Sequence, residues 1–148
     1  MSLKTGDKAP AIKAGDFDLA KHKGKTIVLF FFPKADTPGC TRESCAFRDA
    51  QKKFSKLNAE IVGCSPDKAE AQAKFATKYE LPYTFVPDPD HKIAEAFGVW
   101  KEKVNYGRTY MGIERTTFVI DPQGKIAKIF GKVKVDGHVD KVLESIAG

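Results

Sequence analysis

The stretch "PKADTPGCTRESCAF", residues 33 to 47, holds two of the three cysteines in the chain. Cys40 and Cys45 are too far apart for a Cys-x-x-Cys redox pair, and no second pair completes a zinc site. Cys40 falls near the third position of a predicted helix that opens at Pro38. Free backbone N–H groups and the positive end of the helix dipole meet there. Both favour thiolate over thiol, so the Cys40 pKa is expected below the usual ~8.5. A thiolate so placed is a nucleophile. Gly39 beside it allows another atom close to the backbone. Thr37, three residues upstream, carries a hydroxyl that both donates and accepts. Pro33 stands at the mouth of the preceding strand, where it would shield the sulfur from water.

Those residues need elements to hold them. Ile27 to Phe32 is a continuous apolar and aromatic run and reads as a buried strand ended by Pro33. A helix is expected from Pro38 to about Leu57, with Thr37 as N-cap, Pro38 at the first position, and Phe47, Phe54 and Leu57 on one side. "AEIVGCS" (59–65) reads as a second buried strand, and Pro66 and Asp67 open a helix running to Tyr79. "YTFVPDPD" is a short strand entering a turn. His91 to Gly98 is a short helix closed by glycine. "ERTTFVIDPQGKIAKIF" is a hairpin, and "DGHVDKVLESI" a helix with Val139, Val142, Leu143 and Ile146 inward. The early alternation of strand and helix argues for a layered α/β sandwich with a mixed central sheet.

Length and composition set the frame. The chain has 148 residues, 42% of them hydrophobic and 30% charged, which fits one globular domain over residues 1–148. The longest apolar run, "TIVLFFF", is too short to span a membrane. The N-terminus shows no apolar signal region, so a cytoplasmic protein is expected. An odd and small number of cysteines is no disulfide scaffold. The net charge of +6 is spread over scattered lysines, without zinc-finger spacing or an aromatic RNA-binding signature. It reads as a solvated surface, not a nucleic-acid site.

Pro33, Thr37 and Cys40 match Pro-x-x-x-Thr-x-x-Cys, and "FFPKADTPGCTRESCAFRD" as a whole resembles the peroxiredoxins, in particular the bacterioferritin comigratory protein or peroxiredoxin Q subfamily. The resemblance runs through "GDKAP" (6–10), "VGCSPD" (62–67), "GIERTTFVIDPQGKI" (112–126) and "GHVDKVL" (137–143). It implies a thioredoxin-like α/β sandwich: a mixed central β-sheet flanked by helices. It also implies a thiol peroxidase of the atypical 2-Cys kind, acting on hydrogen peroxide and organic hydroperoxides. Cys40 is then the peroxidatic residue and becomes a sulfenic acid. Cys45 occupies the place of the resolving cysteine. Arg115 is the family's late-strand arginine, although seen alone it would pass for a surface or salt-bridged residue. Arg115 would stabilise charge as it moves from sulfur to the leaving oxygen. Thr37 would accept from the peroxide O–H, and the amides of Gly39 and Cys40 would bind peroxide oxygens. The resemblance implies no metal or organic cofactor, a thioredoxin or glutaredoxin reductant, and a monomer.

Five residues along an α-helix give a rise of about 7.5 Å and place the two Cα atoms roughly 8.6 Å apart. A disulfide needs less than ~7 Å. The helix must therefore unwind around residues 40 to 45 if Cys45 is to resolve Cys40. Cys64, at the end of a buried strand, departs from the aliphatic residue usual there and reads as core packing, or as a competing resolver if it lies near the site. Arg42 and Glu43 read as a solvated helix face without a catalytic role. His22, His91 and His138 show no ligand spacing, and the last two read as surface or capping residues. "YMGIER" (110–115) reads as part of an apolar collar. Two other classes stand beside the peroxidase. A general disulfide oxidoreductase would need the missing Cys-x-x-Cys. A basic nucleic-acid-binding or chaperone-like protein would leave the cysteines incidental.

Overall fold

A computed structural model describes residues 3–14 and 17–147. In chain order the elements are β1 (Lys13–Ala14), β2 (Phe17–Asp18), a 3-10 turn (Leu19–His22), β3 (Thr26–Phe31), α1 (Pro38–Asp49) and α2 (Gln51–Lys56). There follow β4 (Ala59–Ser65), α3 (Ala69–Lys78), β5 (Thr84–Pro87), α4 (Lys92–Ala96), β6 (Trp100–Asn105), β7 (Arg108–Ile113), β8 (Thr116–Ile120), β9 (Ile126–Phe130) and α5 (His138–Ala147). Five strands form the central sheet in the order β5-β4-β3-β8-β9. β3, β4 and β5 run parallel, while β8 lies antiparallel to β3 and to β9. This is the mixed central sheet flanked by helices that the sequence leads one to expect.

The unbroken apolar run of β3 is explained by cover on both faces of the sheet. Ile27, Leu29 and Phe31 point into a cluster with Phe97, Val99, Ile113 and Phe118. Val28, Phe30 and Phe32 point the other way, toward Phe47, Phe54, Phe75, Tyr83 and Val142. Cys40 belongs to this second cluster and Cys64 to the first. The sheet therefore stands between the two thiols.

The helix expected over 38–57 is two helices. Its junction is Ala50, at φ −97° and ψ 1°, whose N–H donates to the carbonyls of both Ala46 and Phe47. This tightens the last turn of α1 while Phe47 and Phe54 both stay buried. α3 begins at Ala69, later than Pro66. Asp67 is committed elsewhere, since one carboxylate oxygen accepts from Ala35 N–H (2.7 Å) and from the Ser65 hydroxyl (2.8 Å). That contact ties the end of β4 to the loop leading into α1.

Two hairpins lie outside the sequence reading. One is β1–β2. The other is β6–β7, which closes through Tyr106 (φ 52°) and Gly107 (φ 75°), the left-handed pair that a tight hairpin turn requires. Its strands read "WKEKVN" and "RTYMGI". Too little of either strand is buried to leave an apolar alternation. "YMGIER" is thus largely a strand and not a collar. Tyr110 and Met111 are exposed, while Ile113 enters the cluster on the sheet face opposite Cys40.

Candidate active site

β3 ends beside its parallel neighbour, and the chain turns through Pro33 to Thr37 into α1. Thr37 is the N-cap in extended conformation (φ −100°, ψ 154°), with Pro38 first in the helix as expected. Its hydroxyl does not cap. It donates to Lys34 C=O at 2.8 Å, which leaves its oxygen lone pairs able to accept a further bond. The first helical amide bond runs from Thr41 N–H to Thr37 C=O at 2.8 Å. The N–H groups of Gly39 and Cys40 precede it, in the turn where helix amides lack intrahelical partners. Pro33 is half-buried at the strand exit.

Arg115 lies between β7 and β8 and reaches α1 across the fold. Its Nη2 donates to Cys40 Sγ at 3.3 Å, and its Nη1 to Glu43 Oε1 at 2.5 Å. A Cβ on Gly39 would stand 3.4 Å from Arg115 Nη2, so the guanidinium rests against bare backbone at that glycine. Burial opposes the charge on Arg115, but the Glu43 carboxylate and the Cys40 sulfur outweigh it and hold its pKa above the ordinary value.

Glu43 corrects the reading of a solvated face. It is 1% exposed. Burial pushes its pKa up to about 7 against the opposing pull of Arg115. Among the described residues, its second oxygen, Oε2, has no hydrogen-bond partner. The signal for it was its position three residues after Cys40, on the same helix face. Arg42, by contrast, is exposed and pairs with exposed Asp136 at 2.9 Å.

Cys45 is half-buried on the same unbroken helix as Cys40, and all three cysteines are free thiols. The backbone between the two is held from outside by Tyr83, whose hydroxyl donates to Ser44 C=O at 2.6 Å. Cys64 is 1% exposed in the cluster across the sheet. Burial, then the neighbouring Asp88, push its thiol pKa well up. That placement makes it a core residue and removes it as a competing resolver.

His138 is not a surface residue. It starts α5 but is 4% exposed, with Nε2 2.7 Å from Thr117 Oγ1 and its ring edge-on to Phe47 and Phe130. His91 does precede α4, yet its ring stacks on Trp100 at 4.0 Å instead of capping. Among the described residues, no three His, Cys, Asp or Glu side chains gather as a metal site.

This arrangement joins a buried sulfur, a helix start and a guanidinium in one place, and comparison with known proteins gives it a family. Residues 5–129 match the AhpC/TSA family. The chain is 48% identical to peroxiredoxin Bcp of Bacillus subtilis over 151 aligned positions, covering 99% of this chain and 96% of the relative. Among solved structures, it superposes with a TM-score of 0.85 on the bacterioferritin comigratory protein of Xanthomonas campestris, studied for its alkyl peroxide reduction activity. That match is at 38% identity over 88% of this chain and 83% of the other. A peroxiredoxin Q of Xylella fastidiosa gives a TM-score of 0.90 at 31% identity, covering 99% and 97%. The chain belongs to the AhpC/TSA family, as a peroxidase of the Bcp and peroxiredoxin Q group of peroxiredoxins.

Proposed function

We propose that Cys40 is the peroxidatic nucleophile and Cys45 the resolving cysteine of a thioredoxin-dependent, atypical 2-Cys peroxidase. The observation that carries this reading is the Arg115 guanidinium 3.3 Å from Cys40 Sγ at the first turn of α1. The Cys40 thiolate attacks one peroxide oxygen, the O–O bond breaks, and the other oxygen leaves as hydroxide or alkoxide and takes up a proton. Sulfur is oxidised to sulfenic acid by two electrons. Arg115 faces charge on sulfur before the step and on the leaving oxygen during it. Thr37 accepts from the peroxide O–H, since its own proton is engaged by Lys34. The N–H groups of Gly39 and Cys40 donate to the peroxide oxygens, and Pro33 limits water at the sulfur.

Cys45 then attacks the sulfenic sulfur, releasing water and leaving an intrachain disulfide. A dithiol protein of the thioredoxin kind, or a glutaredoxin, returns both thiols and is itself oxidised. Resolution within one chain requires no second subunit, which supports a monomeric enzyme, and thioredoxin recycling suits the cytoplasm. Hydrogen peroxide and organic hydroperoxides are the substrates, in keeping with the alkyl peroxide activity of the Xanthomonas neighbour.

Peroxide consumption driven by a thioredoxin system tests the assignment with three variants. Cys40→Ser abolishes turnover. Cys45→Ser consumes one equivalent and then stalls or overoxidises. Cys64→Ser changes little. Full activity in Cys40→Ser would end this reading.

A further inference from the structure

Asp67 stands outside the Pro-x-x-x-Thr-x-x-Cys stretch, yet it grips the loop that carries Thr37. Its Oδ2 accepts from Ala35 N–H at 2.7 Å and from the Ser65 hydroxyl at 2.8 Å. Ser65 is buried at the end of β4. Its oxygen accepts from Gln72 Nε2 at 2.8 Å, and the same nitrogen donates to Val86 C=O at 2.9 Å. Gln72 is buried on α3, and Val86 lies in β5. An amide nitrogen only donates, so the single Ser65 proton is left for Asp67. The carboxylate is thus set from α3, β4 and β5 before it meets the loop.

At the loop, this chain of bonds ends on one peptide group. Ala35 N–H and Lys34 C=O are two edges of the same planar unit, and in a trans peptide they point in opposite directions. Asp67 holds the N–H edge. The C=O edge accepts the Thr37 hydroxyl at 2.8 Å. A turn of that plane breaks both bonds. The carbonyl fixes the Thr37 proton, and so decides whether Thr37 offers a peroxide its lone pairs or its hydrogen. A carboxylate on the N–H also polarises the peptide and strengthens its oxygen as an acceptor.

We propose that Asp67 is a positioning residue for peroxide reduction: it locks the Lys34–Ala35 peptide so that Thr37 accepts from the peroxide O–H. The proposal rests on Thr37 and Cys40 in the roles given above. Without Asp67 the plane is free to turn, and the Thr37 proton loses its fixed partner. Cys40 keeps Arg115 and its place in the first turn of α1. The loss therefore falls on how the peroxide is held, not on the thiol.

A double-mutant cycle separates this role from a general loosening of the loop. Second-order rate constants for Cys40 oxidation by hydrogen peroxide are read by rapid quench on the reduced wild type, Asp67→Ala, Thr37→Val and the double variant. Alkylation of Cys40 by iodoacetamide, which asks nothing of Thr37, is read on the same preparations. The ratio of oxidation to alkylation cancels changes in folded fraction and in thiolate. We expect Asp67→Ala to lower that ratio about tenfold, the size of one lost hydrogen bond to a charged group. Thr37→Val has no proton to orient, and there the same change should cost little. Asp67→Asn should recover part of the ratio, since its amide oxygen can accept both bonds without the charge. An equal loss in both Thr37 backgrounds overturns the proposal, as does an unchanged ratio in Asp67→Ala. Thr37→Val oxidised as fast as the wild type would instead remove the reading of Thr37 beneath it.

Discussion

Glu43 and Cys40 share one guanidinium, and that sharing has a thermodynamic sign. Glu43 has a folded pKa of about 7 against an ordinary 4.5, raised by burial over the opposing Arg115. The folded state thus holds this proton more tightly than the unfolded chain. Its stabilising contribution is full below the unfolded value and is lost as pH rises through about 7. Glu43→Gln removes the titration. Denaturant midpoints of the wild type should fall relative to those of Glu43→Gln between pH 5 and pH 8, by an amount on the order of 2–3 kcal/mol. A difference independent of pH would mean that Glu43 is ionised throughout. Cys40 and Arg115 were legible as motif positions. The Glu43 partnership was not, because an exposed and a buried helix face carry the same letters until a neighbour covers one of them.

Helix α1 is a latch as well as a platform. It holds both thiols on one unbroken helix from Pro38 to Asp49, and helix geometry separates their Cα atoms by more than a disulfide permits. Opening it breaks the Arg115–Glu43 contact and the Tyr83–Ser44 bond. Phe47 marks a limit, because its ring stacks on Phe30 at 4.7 Å in the core. Amide exchange over residues 40 to 45 should quicken in the disulfide form while Phe47 and the turn after it stay protected. Unchanged protection of 40–45 would refute the unwinding. Tyr83→Phe deletes one bond that the closed helix holds and the open one gives up. It should speed disulfide formation by about fivefold, the worth of roughly 1 kcal/mol, with peroxide attack unaffected. Equal resolution rates in Tyr83→Phe and the wild type would show that this bond does not latch the helix.

Across the whole molecule, His138 is the clamp between layers. It begins α5, meets Thr117 on β8, and touches Phe130 on β9 and Phe47 on α1. Burial lowers its pKa to about 4, aided by Lys141 and Arg115. Here the folded state binds the proton less tightly than the unfolded chain. Stability is present above the unfolded value of 6.5 and is lost as pH falls through about 4. This runs opposite to Glu43, so the two partly cancel in the wild type over the range they share. His138→Gln keeps a partner for Thr117 and removes the charge. Its melting temperature should fall less than that of the wild type between pH 7 and pH 4, and an identical fall would show that His138 does not titrate there.

The order of the main strands and helices, the start of α1 at Pro38 and the placing of Cys40 in its first turn were all determined by sequence. They depend on local signals: an apolar run, a threonine at the N-cap position, a proline where no N–H is needed. The β6–β7 hairpin was hidden because its strands bury too little to show a period. Tertiary structure alone decided what meets across distance. It brought Arg115 to Cys40 over 75 positions of chain, buried Glu43 and His138, and put the sheet between Cys40 and Cys64. Local propensity sets which residues form a turn or a strand. Which charge is buried, and against what partner, is set only when layers far apart in sequence close on one another.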